Sequence, residues 1–337
     1  MTDRNLIAID LAKSVFQVCV FSPTGRVVTN RRHRRAELKT FMAQQRPSLV
    51  VMEACYSSHY WGRLLNGYGH EVRLIPAQHV KAFVRGNKND ANDAIAIGEA
   101  SLRPNLRAVP VKTIEQQDLQ AVHRIRARLM KNRVALSNQV RGLLSEYGIV
   151  FARGHKALVE NLRGLIEERR EDLSVRMQSE LVELLAEYDQ LCTRLRRIDR
   201  QIDQHAHGNA LCVRLMTIPG IGVLVASALV AAIGNAAQFS SPRELAVWLG
   251  LTPRQYASGD RNHMGAITKR GDRYLRRLLI HGARAALHRR RHDDRLSRWA
   301  KAVAERRGNA KATVALAHKI ARLAWVLLQR EQSYRSL

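Results

Sequence analysis

Leu6-Ile7-Ala8-Ile9-Asp10, followed by Val15-Phe16-Gln17-Val18-Cys19-Val20-Phe21, decides how the first third of this 337-residue chain folds. The first stretch is a short apolar run that ends in an acid. The second is dense in β-formers, and the Ser22-Pro23-Thr24-Gly25 turn leads to Arg26-Val27-Val28-Thr29 as the return strand of a hairpin. Residues 36–45 read as a helix, and Leu49-Val50-Val51-Met52 reads as a second buried strand ending at Glu53. A helix over 57–68 and a strand over 71–75 follow. Strand, hairpin, helix, strand, helix, strand predicts a mixed α/β sheet with helices packed on it.

Asp10 and Glu53 thus stand at the C-terminal ends of apolar strands, where open α/β sheets place their sites. A third acidic stretch is Gly86-Asn87-Lys88-Asn89-Asp90-Ala91-Asn92-Asp93-Ala94-Ile95-Ala96-Ile97-Gly98-Glu99-Ala100. A helix beginning near Asp90 puts Asp90 and Asp93 at i and i+3 on one face, which Ile97 continues into a core. By itself the pair fits two readings: an acidic first turn of the kind helices favour, or two carboxylates with a cation between them. With the strands as neighbours, Asp10, Glu53, Asp90 and Asp93 converge. Four hard oxygen ligands suit Mg²⁺ or Mn²⁺, as a pair of ions that stabilise the attacking and leaving oxygens of phosphodiester chemistry.

The charge balance points to the substrate. Lys and Arg number 56 against 29 Asp and Glu, a net +27, which calls for a polyanionic partner, most simply nucleic acid. From Arg254 onward 21 Lys and Arg meet 6 Asp and Glu, so +15 sits in the last quarter. Cys19, Cys55, Cys192 and Cys212 form no C-x-x-C pair, which argues against a structural zinc site or a disulfide scaffold and fits a reducing cytoplasm. No signal peptide is visible and no apolar run approaches bilayer length, so a soluble intracellular protein without membrane contact is expected.

From Thr113 to about His207 the pattern is helical. Val122, Ile125 and Leu129, then Leu136, Val140, Leu143 and Tyr147, keep three-four spacing. So does the run Met177, Leu181, Leu184, Tyr188, Leu191, Leu195, Ile198 and Ile202. That is an a/d seam. The glycines at 148 and 154 allow the two long helices to fold back as an antiparallel pair, with a shorter helix over 156–168 between them. Whether the seam closes within one chain or between two is open at this stage. The basic face at Arg124, Arg126, Arg128, Lys131 and Arg133 is either solvated or turned to nucleic acid.

In the last third, Ile218-Pro219-Gly220-Ile221-Gly222 precedes an Ala- and Val-rich helix over 223–233. This matches the helix-hairpin-helix pattern, in which Gly220 and Gly222 let backbone N–H groups approach a phosphate. Ser258-Gly259 then lies in a polar loop between Arg254 and Arg261, where a serine is ordinarily a turn residue. His263, close by, reads as a loop residue. Lys269, Arg270, Arg273, Arg276 and Arg277, with Arg284, Arg289 to Arg291, Arg295 and Arg298, read as phosphate clamps on amphipathic helices. Aromatic residues make up only 5%, so base stacking is not signalled.

Asp on a first strand, Glu on a later strand and D-x-x-D on a helix resemble the RuvC-type RNase H-like nucleases. The wording is more specific: Glu53-Ala54-Cys55 with Ser58-His59-Tyr60-Trp61, then His70-Glu71-Val72-Arg73-Leu74-Ile75, then Lys88-Asn89-Asp90-Ala91-Asn92-Asp93-Ala94. These, with Trp248 to Asp260 and Gly265 to Leu279, resemble the DEDD transposases of insertion-sequence family one-ten, particularly its eleven-eleven subgroup. The resemblance implies a RuvC-like domain over 1–112, a helical coiled-coil linker or dimerisation region over 113–208, and a transposase domain over 209–337.

It also implies a recombinase that excises and inserts an insertion sequence. Ser258 would be the covalent nucleophile, since Ala257 precedes it where many relatives carry two serines. Further implications are a bridge RNA that chooses double-stranded DNA targets, and a dimer or tetramer in which one subunit's acids meet another's serine. The setting would be a bacterial cytoplasm, at the nucleoid. Two other readings are a Holliday-junction-type endonuclease that uses the four acids and water, and a non-enzymatic architectural DNA binder.

Overall fold

The computed structural model describes residues 5–84, 89–104, 106–168, 172–288 and 294–334. Gly86 to Lys88 and Arg289 to Arg291 lie outside the described residues. The chain divides into two compact units: residues 1–117 with 236–240, and residues 118–235 with 241–337.

The first unit is built on a five-stranded sheet of order β3-β2-β1-β4-β5. Its strands are β1 (Leu6–Asp10), β2 (Val15–Phe21), β3 (Val27–Arg34), β4 (Leu49–Glu53) and β5 (Glu71–Ile75). β1, β2 and β3 pair antiparallel, while β4 runs parallel to β1 and β5 parallel to β4. The expected strands stand where the apolar runs placed them, except that β3 continues from Thr29 to Arg34.

Strand alternation divides the core in two. On one face Ile7, Ile9, Phe16, Val18, Val50 and Met52 are covered by α1 (Arg35–Gln44), through Leu38 and Met42, and by α2 (Ser58–Gly67), through Trp61 and Leu65. On the other, Leu6, Ala8, Cys19, Phe21 and Val51 meet Ala94, Ala96, Ile97 and Ala100 of α4 (Asp90–Ser101). A short α3 (Ala77–Val80) precedes it. Gly98 allows α4 to sit this close, since a Cβ there would come within 2.2 Å of the Phe21 ring.

The second unit is helical. In it, α5 (Ile114–Ser145) and α7 (Val175–Gly208) run antiparallel: Arg126 pairs with Asp199, Leu129 packs with Leu195 and Ile198, and Leu136 and Val140 with Leu181 and Tyr188. Leu158, Leu162 and Leu165 of α6 (His155–Glu167) close that cluster. The seam is therefore filled within the chain. It passes through Leu144 rather than the half-buried Leu143, and Ile125 turns outward at 38% exposure.

Helices α8 (Ala210–Met216) and α9 (Val223–Ile233) flank the turn at 217–222, and α10 (Pro242–Trp248) leads to a two-stranded ribbon, β6 (Pro253–Ser258) and β7 (Arg261–Ile267). α11 (Arg273–His288), α12 (Arg295–Arg307) and α13 (Asn309–Arg330) complete the unit. Among the described residues no helix is long and apolar enough to cross a membrane.

Candidate active site

Each unit holds one candidate set of residues. In the first, the residue pairing Ile9 to Met52 makes Asp10 and Glu53 neighbours at the C-terminal ends of parallel strands. Counting by twos from Leu6 and Ala8, and from Leu49 and Val51, puts both carboxylates on the sheet face that α4 covers. Their joint field is felt at Cys55, whose thiol is pushed up to about 11 by burial, then by Glu53 and Asp10.

The first turn of α4 carries Asp90 and Asp93 and is capped by Asn89, whose side chain accepts from the Asn92 N–H at 2.8 Å. The β2–β3 edge holds this turn by two further contacts. Asn30 Nδ2 donates to the Ala91 carbonyl at 3.1 Å, and Arg32 Nη2 lies 3.6 Å from Asp90 Oδ2. Gln17, which stands opposite Asp10 in one ladder and Arg32 in the other, donates from Nε2 to Asn30 Oδ1 at 2.6 Å. Its Oε1 is buried and has no hydrogen-bond partner among the described residues.

All four acids therefore belong to one face and one end of the sheet. Among the described residues, however, no group of three or more His, Cys, Asp or Glu is gathered closely enough to hold a metal ion. In kind, the donor set fits Mg²⁺ or Mn²⁺: carboxylates from two strand ends and a helix start, beside a buried amide oxygen with no partner.

In the second unit the expected polar loop is a hairpin. Ser258 ends β6 and faces Arg261 across a two-residue turn, Gly259-Asp260, in which Gly259 takes φ +54 as the first position of a type II′ turn requires. Alternation puts Arg254, Tyr256 and Ser258 on one ribbon face with Arg261 and His263. Tyr256 and His263 stack at 6.4 Å between centroids, and a Cβ on Gly265 would meet the Tyr256 ring at 3.3 Å. His263 is thus a strand residue of the serine's own face. The exposed ribbon has no core to signal it; only the period-two spacing of Arg254, Tyr256 and Ser258 could have found it.

The ribbon stands on a close-packed neck. A Cβ on Gly250 would lie 1.9 Å from the Arg270 carbonyl oxygen, and one on Gly271 1.8 Å from that of Trp248. Arg276, read from sequence as a phosphate clamp, is 8% exposed and donates from Nη1 to the carbonyls of Leu249 and Arg270, at 3.0 and 3.1 Å. It secures this neck. Lys269, Arg270 and Arg273 are exposed around it, and Arg277, also exposed, lies over the Tyr274 ring at 5.3 Å.

Gly220 serves packing: its φ is +91, and a Cβ on Gly282 of α11 would lie 2.0 Å from its carbonyl oxygen. Gly222 is exposed at the start of α9 with open space around it. Elsewhere in this unit cations crowd one another. Lys319 is lowered from its ordinary range by burial, then by Arg295 and Arg322, and His318 by burial, Arg322 and Arg243.

A mixed sheet with acids at adjacent strand ends is joined in one chain to a basic helical unit, and the relatives of this chain make it an enzyme that acts on DNA. Residues 7–149 match a family profile described as a transposase, of the DEDD type of IS110, and residues 212–299 match one described as "Transposase IS116/IS110/IS902 family". The chain is 47% identical over 331 residues to a probable family 20 transposase of Pseudomonas aeruginosa, covering 98% of each. It is 43% identical to the transposase for insertion sequence element IS1111A of Coxiella burnetii, covering 99% of this chain and 92% of that one. A pilin gene-inverting protein of Moraxella bovis is 25% identical over 82% of this chain. The chain belongs to the IS110 family of DEDD transposases. Its DEDD domain implies an RNase H-like fold, with which the mixed five-stranded sheet agrees.

Proposed function

We propose that this transposase cuts and rejoins DNA through Ser258, and that Asp10, Glu53, Asp90 and Asp93 would hold divalent metal ions for that reaction. The observation that carries the reading is the serine's position at an exposed ribbon tip, with Arg254 and Arg261 on its own face. Ser258 Oγ forms a bond to phosphorus, the bond from phosphorus to the 3′ oxygen breaks, and that oxygen takes up a proton while the hydroxyl gives one up. The product is a 5′-phosphoserine link and a free 3′-hydroxyl. In rejoining, a 3′-hydroxyl attacks the link and the serine is released. Phosphodiester bond energy is conserved, so no further reactant enters.

Arg254 and Arg261 neutralise the phosphate oxygens as charge builds up. Mg²⁺ or Mn²⁺, when bound, would supply Lewis-acid stabilisation of the same charge. The side-by-side placement of Asp10 and Glu53 and the orphaned Gln17 oxygen support such a site. The crowded cations around Lys319 support a nucleic-acid surface in the helical unit. The family resemblance adds a structured bridge RNA as guide, a homo-oligomer with shared sites, and a helix-hairpin-helix role for the turn at 217–222.

Asp93→Asn tests the metal part of this reading. Expected is loss of recombination with DNA binding retained; recombination at the parent rate would remove Asp93 from the catalytic set and overturn the four-acid metal reading. Sequencing the RNA that co-purifies with the protein tests the guide, and recovery of random cellular RNA alone would remove it.

A further inference from the structure

One polar side chain near the acids is unexplained by packing. Gln17 is 6% exposed, and its Oε1 has no hydrogen-bond partner among the described residues. Leaving a buried acceptor unsatisfied is costly, so such a group calls for an explanation.

The orientation of the amide follows from its neighbours. The Ala91 carbonyl can only accept, so Asn30 must turn Nδ2 toward it. Asn30 Oδ1 then faces Gln17, which must answer with Nε2, at 2.6 Å. The Gln17 oxygen is therefore the end left over, on a side chain whose antiparallel neighbour is Asp10. Directly opposed residues of a ladder have Cβ atoms about 5 Å apart on the same face. Gln17 and Asp10 are thus cross-strand neighbours on one face of the sheet. The relay that fixes the Gln17 amide ends in the first turn of α4, which carries Asp90 and Asp93.

We propose that Gln17 is a further ligand of the acidic site, presenting Oε1 to the divalent cation beside Asp10. This rests on the metal reading given above. A neutral amide oxygen suits Mg²⁺ or Mn²⁺ as well as a carboxylate oxygen does, without adding charge. The Asn30–Ala91 relay gives Gln17 a second effect, tying the ligand oxygen to the turn that carries the other two acids, so that cation binding and the seating of α4 are coupled.

The test is a Mn²⁺ titration of the full chain, read from the electron paramagnetic resonance of free Mn²⁺, with no DNA present. Gln17→Met fills the same slot without an oxygen and is expected to weaken Mn²⁺ binding by roughly ten- to a hundredfold. Gln17→Glu keeps the oxygen, adds charge and loses the donor to Asn30; it is expected to bind Mn²⁺ at least as tightly as the parent. A role confined to holding Asn30 predicts that both variants lose affinity, and that result would overturn the proposal. So would parent-like affinity in Gln17→Met. Should Gln17→Met fail to fold, Gln17→Glu decides alone, since weaker binding than the parent contradicts a ligand role. A parent chain that binds no Mn²⁺, or binds it undiminished in Asp10→Asn, would instead overturn the metal reading itself.

Discussion

Ser258 and Arg261 face each other as the closing pair of the β6–β7 ribbon, with only Gly259 and Asp260 between them. On a pleated ribbon this pairing puts the hydroxyl and the guanidinium on one side, about 5 Å apart at Cβ. A phosphate that meets the serine therefore meets the arginine as well.

Arg261→Gln should lower strand cleavage about a hundredfold, the scale on which removing one charge-stabilising donor acts. Both residues are exposed, so the unfolding free energy should not change by more than about 0.5 kcal/mol. Cleavage kinetics on a fixed DNA substrate, beside urea unfolding of the same variant, check the two halves.

Gly282→Ala should destabilise the helical unit by about 2 kcal/mol or more. Its Cβ would be driven to 2.0 Å from the Gly220 carbonyl oxygen, backbone that cannot turn aside. Gly222→Ala meets open space and should leave stability within about 0.5 kcal/mol. Urea midpoints for the pair separate a packing glycine from one free to approach a ligand.

His123 gives the helical unit a pH dependence. It is buried between the Tyr274 hydroxyl and Ser227 Oγ, each at 3.0 Å, and its pKa is pulled from 6.5 to about 4 by burial, then by Arg126 and His205. Between those values the unfolded chain binds a proton that the folded one refuses. Stability should therefore be flat in this respect above pH 6.5 and fall as pH drops toward 4, by roughly 3 kcal/mol from this residue. His155 and His318 are shifted the same way and add to the slope. His123→Gln should reduce the loss between pH 7 and pH 5 without removing it, as read from urea unfolding at each pH.

What sequence could and could not show divides along burial. Leu6 to Asp10 and Leu49 to Glu53 are readable as continuous apolar runs that end in acids, and α4 as an Ala- and Ile-rich segment that acids open. The return strand is legible only as far as Thr29, because Asn30-Arg31-Arg32-His33-Arg34 holds no apolar residue. It is an edge strand, where charge is favoured because it blocks pairing with other chains. That limit hid Asn30 and Arg32, and with them the support of α4's first turn.

The ribbon was hidden for a related reason. Every residue of β6 is exposed, so no hydrophobic alternation marks it, and backbone pairing alone makes the strand. Arg276 looked like its neighbours in sequence, and only the carbonyls of Leu249 and Arg270 distinguish it. Gly220 also packs closely against α11, and nothing in a single sequence announces that Gly282, far along the chain, approaches it.

The most direct test of the central claim is to trap the reaction on a DNA substrate with a nick that prevents rejoining, then look for DNA joined to the peptide that contains Ser258. The account predicts a 5′-phosphoserine adduct on Ser258 in the parent, with both adduct and cleavage absent in Ser258→Ala. Cleavage by Ser258→Ala at the parent rate, with no adduct in the parent, would contradict it and leave water as the nucleophile.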